Sequence, residues 1–360
     1  MGNCCANSQE NESNINRSVL GTTATSSVTS SFFDSEKFVI LKLLGKGSFG
    51  KVFLVSKKDS GKHFAMKVLK KSEIEQKKQR NNTLTERLAL EKMQCPFIVH
   101  LRYAFQNSSK VYILMDFVAG GELFRHLKQE RKFSEEKAKF YAAEILLALE
   151  YMHSKNIIYR DLKPENILLD QEGHIKIADL GLCKTCSSDQ EKAYTLCGTP
   201  EYIAPEIIKN SGYDKAVDYW SFGTLIYEMI HGSPPFYSVN REEMYHKMLN
   251  KPIEVPFDLS AQATDLIKNL LRVNPEERLT DPSKIKSHPF FRSIPWNLLA
   301  KKQVKTPYKP RLSSEEDVRH FDAQFTQASA CDSLSQSTNP NIYYSNFTFE
   351  EEHLGSHNLN

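Results

Sequence analysis

The sequence predicts an α+β fold in two lobes, a small β-rich lobe with one main helix and a large, mostly helical lobe, followed by a C-terminal tail. Three observations predict it. Apolar residues alternate on both sides of a glycine turn from Phe38, and again over 63–69, which is the period of half-buried strands. From Ser134 they recur at helical spacing instead, at Ala138, Tyr141, Ala142, Ile145, Leu149 and Met152, and apolar or amphipathic helical segments return at 218–229, 242–249 and 261–271. Beyond Trp296 the chain turns polar, with no long helical pattern, as far as Asn360. A chain of 360 residues has room for two lobes and tails.

Composition narrows the class. Charged residues make up 25% and hydrophobic residues 40%, ordinary values for a soluble globular protein. A net charge of +3 is too small to make nucleic acid the main partner. No apolar run reaches the ~18 residues of a membrane span, and no hydrophobic signal segment opens the chain. Seven cysteines, at 4, 5, 95, 183, 186, 197 and 331, are too scattered for a disulfide framework, so a reducing, cytoplasmic compartment is expected. Cys183 and Cys186 form C-x-x-C but do not open a helix in a redox unit, and two ordinary thiols are the simpler reading over a redox or zinc pair.

The first segment, 1–34, is expected to be disordered and lipidated. Removal of Met1 exposes Gly2 for N-myristoylation, with Cys4 and Cys5 behind it for S-palmitoylation; Ala6 departs from the usual Ser or Thr. One myristoyl chain binds membranes with an association constant of only about 10⁴ M⁻¹, so a stable anchor needs a second chain on Cys4 or Cys5. Peripheral attachment to the plasma membrane follows, the alternative being an unmodified start. Residues 7–33, rich in Asn, Ser and Thr, read as a flexible tether.

Val39, Leu41 and Leu43 then mark a strand that runs into Gly45-Lys46-Gly47-Ser48-Phe49-Gly50. G-x-G-x-x-G also serves dinucleotide-binding folds, but there the third glycine leads into a helix. Here 51–55 continues as a strand, and a strand–turn–strand flap can lay backbone N–H groups over a triphosphate. A third strand carries Ala65 and Lys67, and Lys67 suits the α- and β-phosphates. A lysine in a nucleotide cleft needs a carboxylate partner, and Glu86 supplies one from a helical segment around 82–93. A short apolar strand at 111–115 leads into 116–121, a hinge whose backbone can bond an adenine edge, and Glu122 opens a short helix.

The long helix after Ser134 delivers the chain to Y-R-D-L-K-P-E-N at 159–166, followed by Asp179-Leu180-Gly181. Phosphoryl transfer needs a carboxylate to orient the attacking hydroxyl, a cation on the moving group and oxygen ligands for magnesium. Asp161, Lys163 and the pair Asn166/Asp179 fill these roles in turn. A polar stretch over 187–193 is expected to be mobile, ahead of Thr195 and Ala204-Pro205-Glu206; Arg278 can pair with Glu206.

These motifs resemble those of the eukaryotic protein kinases over 38–291, with a small lobe at 38–114, a large lobe at 115–291 and a regulatory tail at 292–360. Tyr159 in place of the usual His, T-L-C-G-T-P-E-Y at 195–202, and the tail clusters F-D-A-Q-F at 321–325 and Y-S-N-F-T-F at 344–349 narrow the resemblance to the AGC group, nearest its protein kinase B-type members. The resemblance implies a serine/threonine protein kinase using ATP and Mg²⁺. Its nucleotide contacts would be Leu44 to Val52 (Leu44, Gly45, Lys46, Gly47, Ser48, Phe49, Gly50, Lys51, Val52), Ala65, Lys67, Glu86, Met115, Asp116, Val118 and Glu122. Glu122, Glu165 and Glu228 would bind Arg or Lys ahead of the acceptor Ser or Thr of a protein substrate, and Leu196, Pro200 and Ile203 would form a pocket for the residue after it. Thr195 would be phosphorylated by an upstream kinase and read by Arg160 and Lys184. Thr348 and a turn-motif serine, Ser333 with Ser335 and Ser337 as rivals, would be phosphorylated in the tail. Phe347 and Phe349, with Tyr344, would dock beside the Glu86 helix. Leu180 replaces the usual Phe of the magnesium turn as an apolar plug. Asn82 stands where many relatives have a histidine contacting the activation-loop phosphate. A membrane-tethered pseudokinase scaffold is the alternative, which the presence of Lys67, Asp161, Asn166 and Asp179 disfavours. Lys163 speaks against tyrosine specificity.

Overall fold

The computed structural model describes residues 35–47, 50–188, 191–332 and 342–351. Strands β1 (Phe38–Lys46), β2 (Gly50–Lys57), β3 (His63–Lys70), β4 (Leu101–Gln106) and β5 (Lys110–Asp116) form an antiparallel sheet in the order β1-β2-β3-β5-β4. Strand alternation decides what this sheet presents. Phe64, Met66 and Val68 of β3 join Phe53, Val55, Tyr103, Phe105 and Leu114 in a small-lobe core, which leaves Ala65 and Lys67 on the opposite face. Gly50 admits no side chain, because a Cβ there would come within 2.1 Å of the Val68 carbonyl oxygen. At Gly45 and Gly47 a Cβ would meet nothing within 4 Å, so the first two glycines border open space.

Two helices follow β3. Helix α1 (Lys71–Gln76) is a single short turn beyond the sequence reading, and α2 (Arg80–Lys92) carries Glu86. The chain leaves β5 for α3 (Leu123–Glu130) and enters the large lobe through α4 (Glu135–Ser154). Ser134 caps α4, its hydroxyl accepting from the Lys137 N–H at 3.3 Å, and Glu135 and Glu136 favour the positive end of the helix dipole. After the short strands β6 (Ile157–Ile158), β7 (Ile167–Leu169), β8 (Ile175–Ile177) and β9 (Lys184–Thr185), which pair β6 with β9 and β7 with β8, come α5 (Pro205–Ile208), α6 (Ala216–His231), α7 (Arg241–Asn250), α8 (Ala261–Leu270) and α9 (Pro282–Ser287). Helix α6 is buried along nearly its whole length, as an apolar helix at the centre of a lobe should be, and packs between α4 and α8. Arg278 donates two hydrogen bonds to Glu206, at 2.6 and 2.8 Å, inside the core. Removing either partner would strand a buried charge, at a cost of about 3–5 kcal/mol.

The tail runs back over both lobes. It begins with α10 (Trp296–Leu299), and Lys302 then pairs with Asp170 at 2.8 Å. Phe321 stacks on Phe117 of the hinge with ring centroids 5.7 Å apart, and Arg125 donates to the Phe321 carbonyl. Helix α11 (Ala323–Thr326) lies against β1, and Phe325 packs on the small-lobe core. Asp332 reaches the buried Lys110 at 2.7 Å. Strand β10 (Phe349–Glu350) then adds to the free edge of β4, so the complete sheet has six strands. No described helix is long and apolar enough to cross a membrane.

Candidate active site

Asp218, fully buried at the start of α6, sets the backbone of the loop after β6. Its carboxylate accepts from the N–H groups of Tyr159 (2.9 Å) and Arg160 (2.8 Å) and pairs with His153 at 2.7 Å. Arg160 sits at φ +68°, a left-handed conformation that a non-glycine residue holds only when its surroundings compel it. The next residue is Asp161. One of its carboxylate oxygens accepts from Asn166 Nδ2 at 2.8 Å and lies 3.0 Å from Lys163 Nζ. The other accepts from the Thr199 hydroxyl at 2.9 Å, and Lys163 Nζ donates to the same hydroxyl at 2.8 Å. Asp161, Lys163, Asn166 and Thr199 therefore form one closed network. The sequence reading takes in Thr199 only as part of T-L-C-G-T-P-E-Y and gives it no role in the site, since nothing local links it to Asp161.

Across the cleft, Lys67 donates to Glu86 at 2.6 Å and to Asp179 at 3.0 Å. Burial pulls the lysine pKa down, but Asp179 and Glu86 together outweigh it, and the pKa ends raised. Lys67 in turn holds the Asp179 carboxyl below its ordinary range. Asp179 takes bonds from Lys67 and from the Gly181 N–H on Oδ1, and its side chain is 53% exposed, so a cation can reach it. Asn166 Nδ2 makes both of its bonds to Asp161, which leaves Oδ1 as the acceptor. One carboxylate and one amide oxygen suit Mg²⁺, which takes one or two protein ligands and fills its remaining positions with phosphate oxygens and water. Among the described residues no group of three or more His, Cys, Asp or Glu could hold a metal by itself.

Residues 38–291 match the protein kinase domain family. The chain belongs to that family. It is 49% identical over 290 residues to a RAC family serine/threonine-protein kinase homolog of Dictyostelium discoideum, 47% over 301 residues to the serine/threonine-protein kinase gad8 of Schizosaccharomyces pombe, and 46% over 301 residues to the serine/threonine-protein kinase Sgk2 of Homo sapiens. These alignments take in 80%, 83% and 82% of this chain, and 65%, 53% and 82% of those proteins. The kinase thus falls within the AGC group that its motifs resemble.

The remaining expected site residues are spread around this kinase cleft. Leu44 and Val118 are buried; Val52, Ala65 and Met115 are half-buried. Ser48 and Phe49 lie outside the described residues. Asp116 turns its side chain away to Arg102, which donates to it at 2.6 and 3.2 Å, so only its backbone is left for a hinge contact. A cavity of about 1040 Å³ lies beside Asp116, between the 117–119 hinge and tail residues 309–315. It is lined by none of Lys67, Glu86, Asp161 or Asp179, so it is not the cleft.

Glu122 and Glu228 both lie within electrostatic reach of Glu165. Burial raises the carboxyl pKa of Glu122, with Glu165 adding to it, and burial likewise raises that of Glu165. Glu165 Oε2 is buried without a hydrogen-bond partner. Glu228 is pushed up to about 7, chiefly by burial and against the Tyr202 hydroxyl that bonds it, with Glu165 and Glu201 adding to the rise. Leu196 is exposed, Pro200 half-buried and Ile203 buried.

The stretch after Asp179 is more tied down than its polarity suggests. Strand β9 pairs with β6, and Ala193 bridges to Tyr213. The expected readers of a Thr195 phosphate are already engaged. Lys184 pairs with Glu191 at 2.9 Å, and Arg160 donates to the carbonyls of Leu182 and Cys183 and to the Tyr213 hydroxyl. Asn82 donates to Gln79, the residue that precedes its helix, and Thr195 is exposed. Cys183 and Cys186 are both buried free thiols; burial pushes Cys183 up to about 12 and raises Cys186 as well, so neither is a ready thiolate.

In the tail, the sequence reading took Phe347 and Phe349 as the main anchors. The structure buries Tyr344 and Phe347 completely, while Phe349 is half-buried. The difference comes from backbone pairing: Phe349 lies in β10 opposite Ala104, and its ring rests under the Arg87 guanidinium at 5.5 Å. The Tyr344 hydroxyl donates to Glu75 at 3.0 Å, and Gln106 bonds both the N–H and the carbonyl of Tyr344. Lys71 and Arg80 donate to the carbonyls of Ile342 and Tyr343. Gly2, Cys4, Cys5, Ser333, Ser335 and Ser337 lie outside the described residues.

Proposed function

We propose that this chain transfers the γ-phosphate of ATP to Ser or Thr hydroxyls of protein substrates that carry basic residues before the acceptor, and that phosphorylation of its activation segment and tail switches it on. The observation that carries the proposal is the Asp161–Lys163–Asn166–Thr199 network opposite the Lys67–Glu86–Asp179 triad. Asp161 orients the substrate hydroxyl and takes its proton, while Lys163 sits beside it to offset charge on the moving phosphoryl group. Lys67, poised between two carboxylates, bonds the phosphates of the nucleotide. Asp179 and Asn166 would hold Mg²⁺; when bound, it neutralises charge on the phosphate oxygens. Phosphate transfer from Mg·ATP to a basic Ser/Thr peptide tests the reading, and its absence from fully phosphorylated enzyme would leave the pseudokinase reading.

Glu122, Glu165 and Glu228 are the proposed readers of substrate arginines, and the unpartnered Glu165 Oε2 supports this, since a buried oxygen without a donor is costly until one arrives. The pH dependence follows from Glu228. Its carboxyl pKa is raised to about 7, so the carboxylate that an arginine needs is lost as pH falls through that value. We expect kcat/KM for an arginine-bearing peptide to fall with about unit slope below pH 7. A matched peptide with alanine at those positions should be poorer throughout and should lack this limb; identical profiles would remove Glu228 from substrate recognition.

For Thr195, a phosphate would compete with Glu191 for Lys184 and give Arg160 its first anionic partner among the described residues. Thr195→Ala should lower the activity of phosphorylated preparations by on the order of ten-fold without lowering the thermal midpoint. Equal activity would exclude the switch. Acylation at Gly2 with Cys4 or Cys5 would place the kinase on a membrane surface, which the mass of the N-terminal peptide from cells decides.

A further inference from the structure

Tyr213 lies outside every motif described above, yet three parts of the site meet on its hydroxyl. The phenol donates to the Thr195 carbonyl at 2.7 Å and accepts from Arg160 Nη1 at 3.0 Å, with Cys197 Sγ at 3.8 Å. Its backbone N–H and carbonyl both pair with Ala193, at 2.9 and 2.7 Å. Tyr213 is only 2% exposed, so water does not compete for these bonds. Burial pushes the phenol up to about 12, against Arg160, and it stays a donor at neutral pH.

Arg160 shows what the bridge accomplishes. It precedes Asp161 in the chain and holds a left-handed backbone. Among the described residues its guanidinium meets only neutral oxygens, those of Leu182 (2.6 Å), Cys183 (3.2 Å) and Tyr213. Through the Tyr213 hydroxyl, two hydrogen bonds in series link the residue next to the proposed base to the backbone of the residue proposed to be phosphorylated.

We propose that Tyr213 is a positioning residue, whose hydroxyl bridge holds the activation segment against Arg160 when Thr195 carries no phosphate and so sets the activity of the unmodified enzyme. The proposal rests on the kinase reading above. A phosphate on Thr195 brings its own charge to Arg160 and makes the neutral bridge redundant. Removing the hydroxyl should therefore matter in one state and hardly in the other, which a simple packing role for the ring would not produce.

The test uses the full chain as wild type and Tyr213→Phe, each in a phosphatase-treated and a Thr195-phosphorylated form. Two quantities are read, kcat on a basic Ser/Thr peptide and amide hydrogen exchange over residues 193–197. In the unphosphorylated form, Tyr213→Phe should lower kcat about ten-fold and speed exchange by a similar factor, the loss of one buried hydrogen bond to a charged group. In the phosphorylated form both should change by less than about three-fold. Equal losses in the two forms, or unaltered exchange in the unphosphorylated variant, overturn the bridge. If phosphorylated wild type transfers no phosphate, the kinase reading fails, and the exchange measurement still decides for or against the bridge.

Discussion

Asp161→Asn is expected to lower kcat for peptide phosphorylation by about 10²–10⁴-fold, the usual contribution of a positioned general base. The substitution is close to isosteric, so the effect should come from chemistry and not from collapse of the loop. The loop backbone is held by Asp218, which bonds the N–H groups of Tyr159 and Arg160 and does not depend on the Asp161 side chain. An amide at 161 can still accept from Asn166 through its oxygen, but it cannot take a proton from the substrate hydroxyl, and it sets an N–H group against Thr199 or Lys163, both of which are donors to this network. Nucleotide affinity should change by less than about three-fold, because Lys67, Glu86 and Asp179 stand apart from the altered group. Single-turnover kinetics with calorimetric measurement of nucleotide binding separates the two quantities. A variant with wild-type kcat would remove Asp161 from the reaction.

Much of this site could be read from the chain because its parts sit close together in sequence. Asp161, Lys163 and Asn166 share one tight loop, so their spacing alone nearly determines that they meet. Glu86 could be paired with Lys67, 19 residues upstream, because a lysine in a cleft demands a carboxylate and the intervening segment reads as a helix. The β1–β2–β3 meander and the helices at 135–154 and 216–231 follow from strong periodicity. What stayed hidden depends on distant contacts. Thr199 joins the network from 38 residues beyond Asp161. Strand β4, Leu-Arg-Tyr-Ala-Phe-Gln, is buried on both faces along most of its length, Tyr103 and Phe105 in the small-lobe core and Leu101 and Ala104 in the main core on the side where α2 packs, so it lacks the alternation that marks a strand. Helix α1 is six residues long, too short to show a period, and its Lys71 is buried because Gln106 and the Ile342 carbonyl accept from it. The side chain of Asp116 turned away from the cleft for the same reason: Arg102, on the neighbouring strand, offers a two-pronged partner that the local sequence does not announce.

Removing Tyr344 and Phe347 together should reduce the activity of Thr195-phosphorylated enzyme by about 100-fold, which corresponds to close to half of the ~5.5 kcal/mol that moves a two-state element from 1:99 to 99:1. Both side chains are fully buried, and each contributes about 1.5–3 kcal/mol gross, roughly 3–6 kcal/mol in all, before the cost of ordering the tail is subtracted. That contribution acts on the helix that matters. Lys71, Glu75, Arg80 and Arg87, which bond the docked segment, all lie on α1 and α2, and Gln106 ties the same segment to β4. Docking therefore clamps α2 to the sheet and holds Glu86 against Lys67. Without the two rings α2 can swing away, and both kcat and the KM for ATP should deteriorate. Thr348 adds a smaller, adjustable term. Arg87 already donates to the Thr348 carbonyl, pairs with Glu91 and keeps its buried Nε unbonded, so it is the basic group best placed to meet a phosphate on Thr348. The expected ranking is wild type, then Thr348→Ala a few-fold lower, then Tyr344→Ala/Phe347→Ala lowest. A peptide spanning residues 342–351 added in trans should restore part of the double variant's activity, since the groove itself is intact. If the double variant works as well as wild type, the tail does not control the helix and the clamp is wrong.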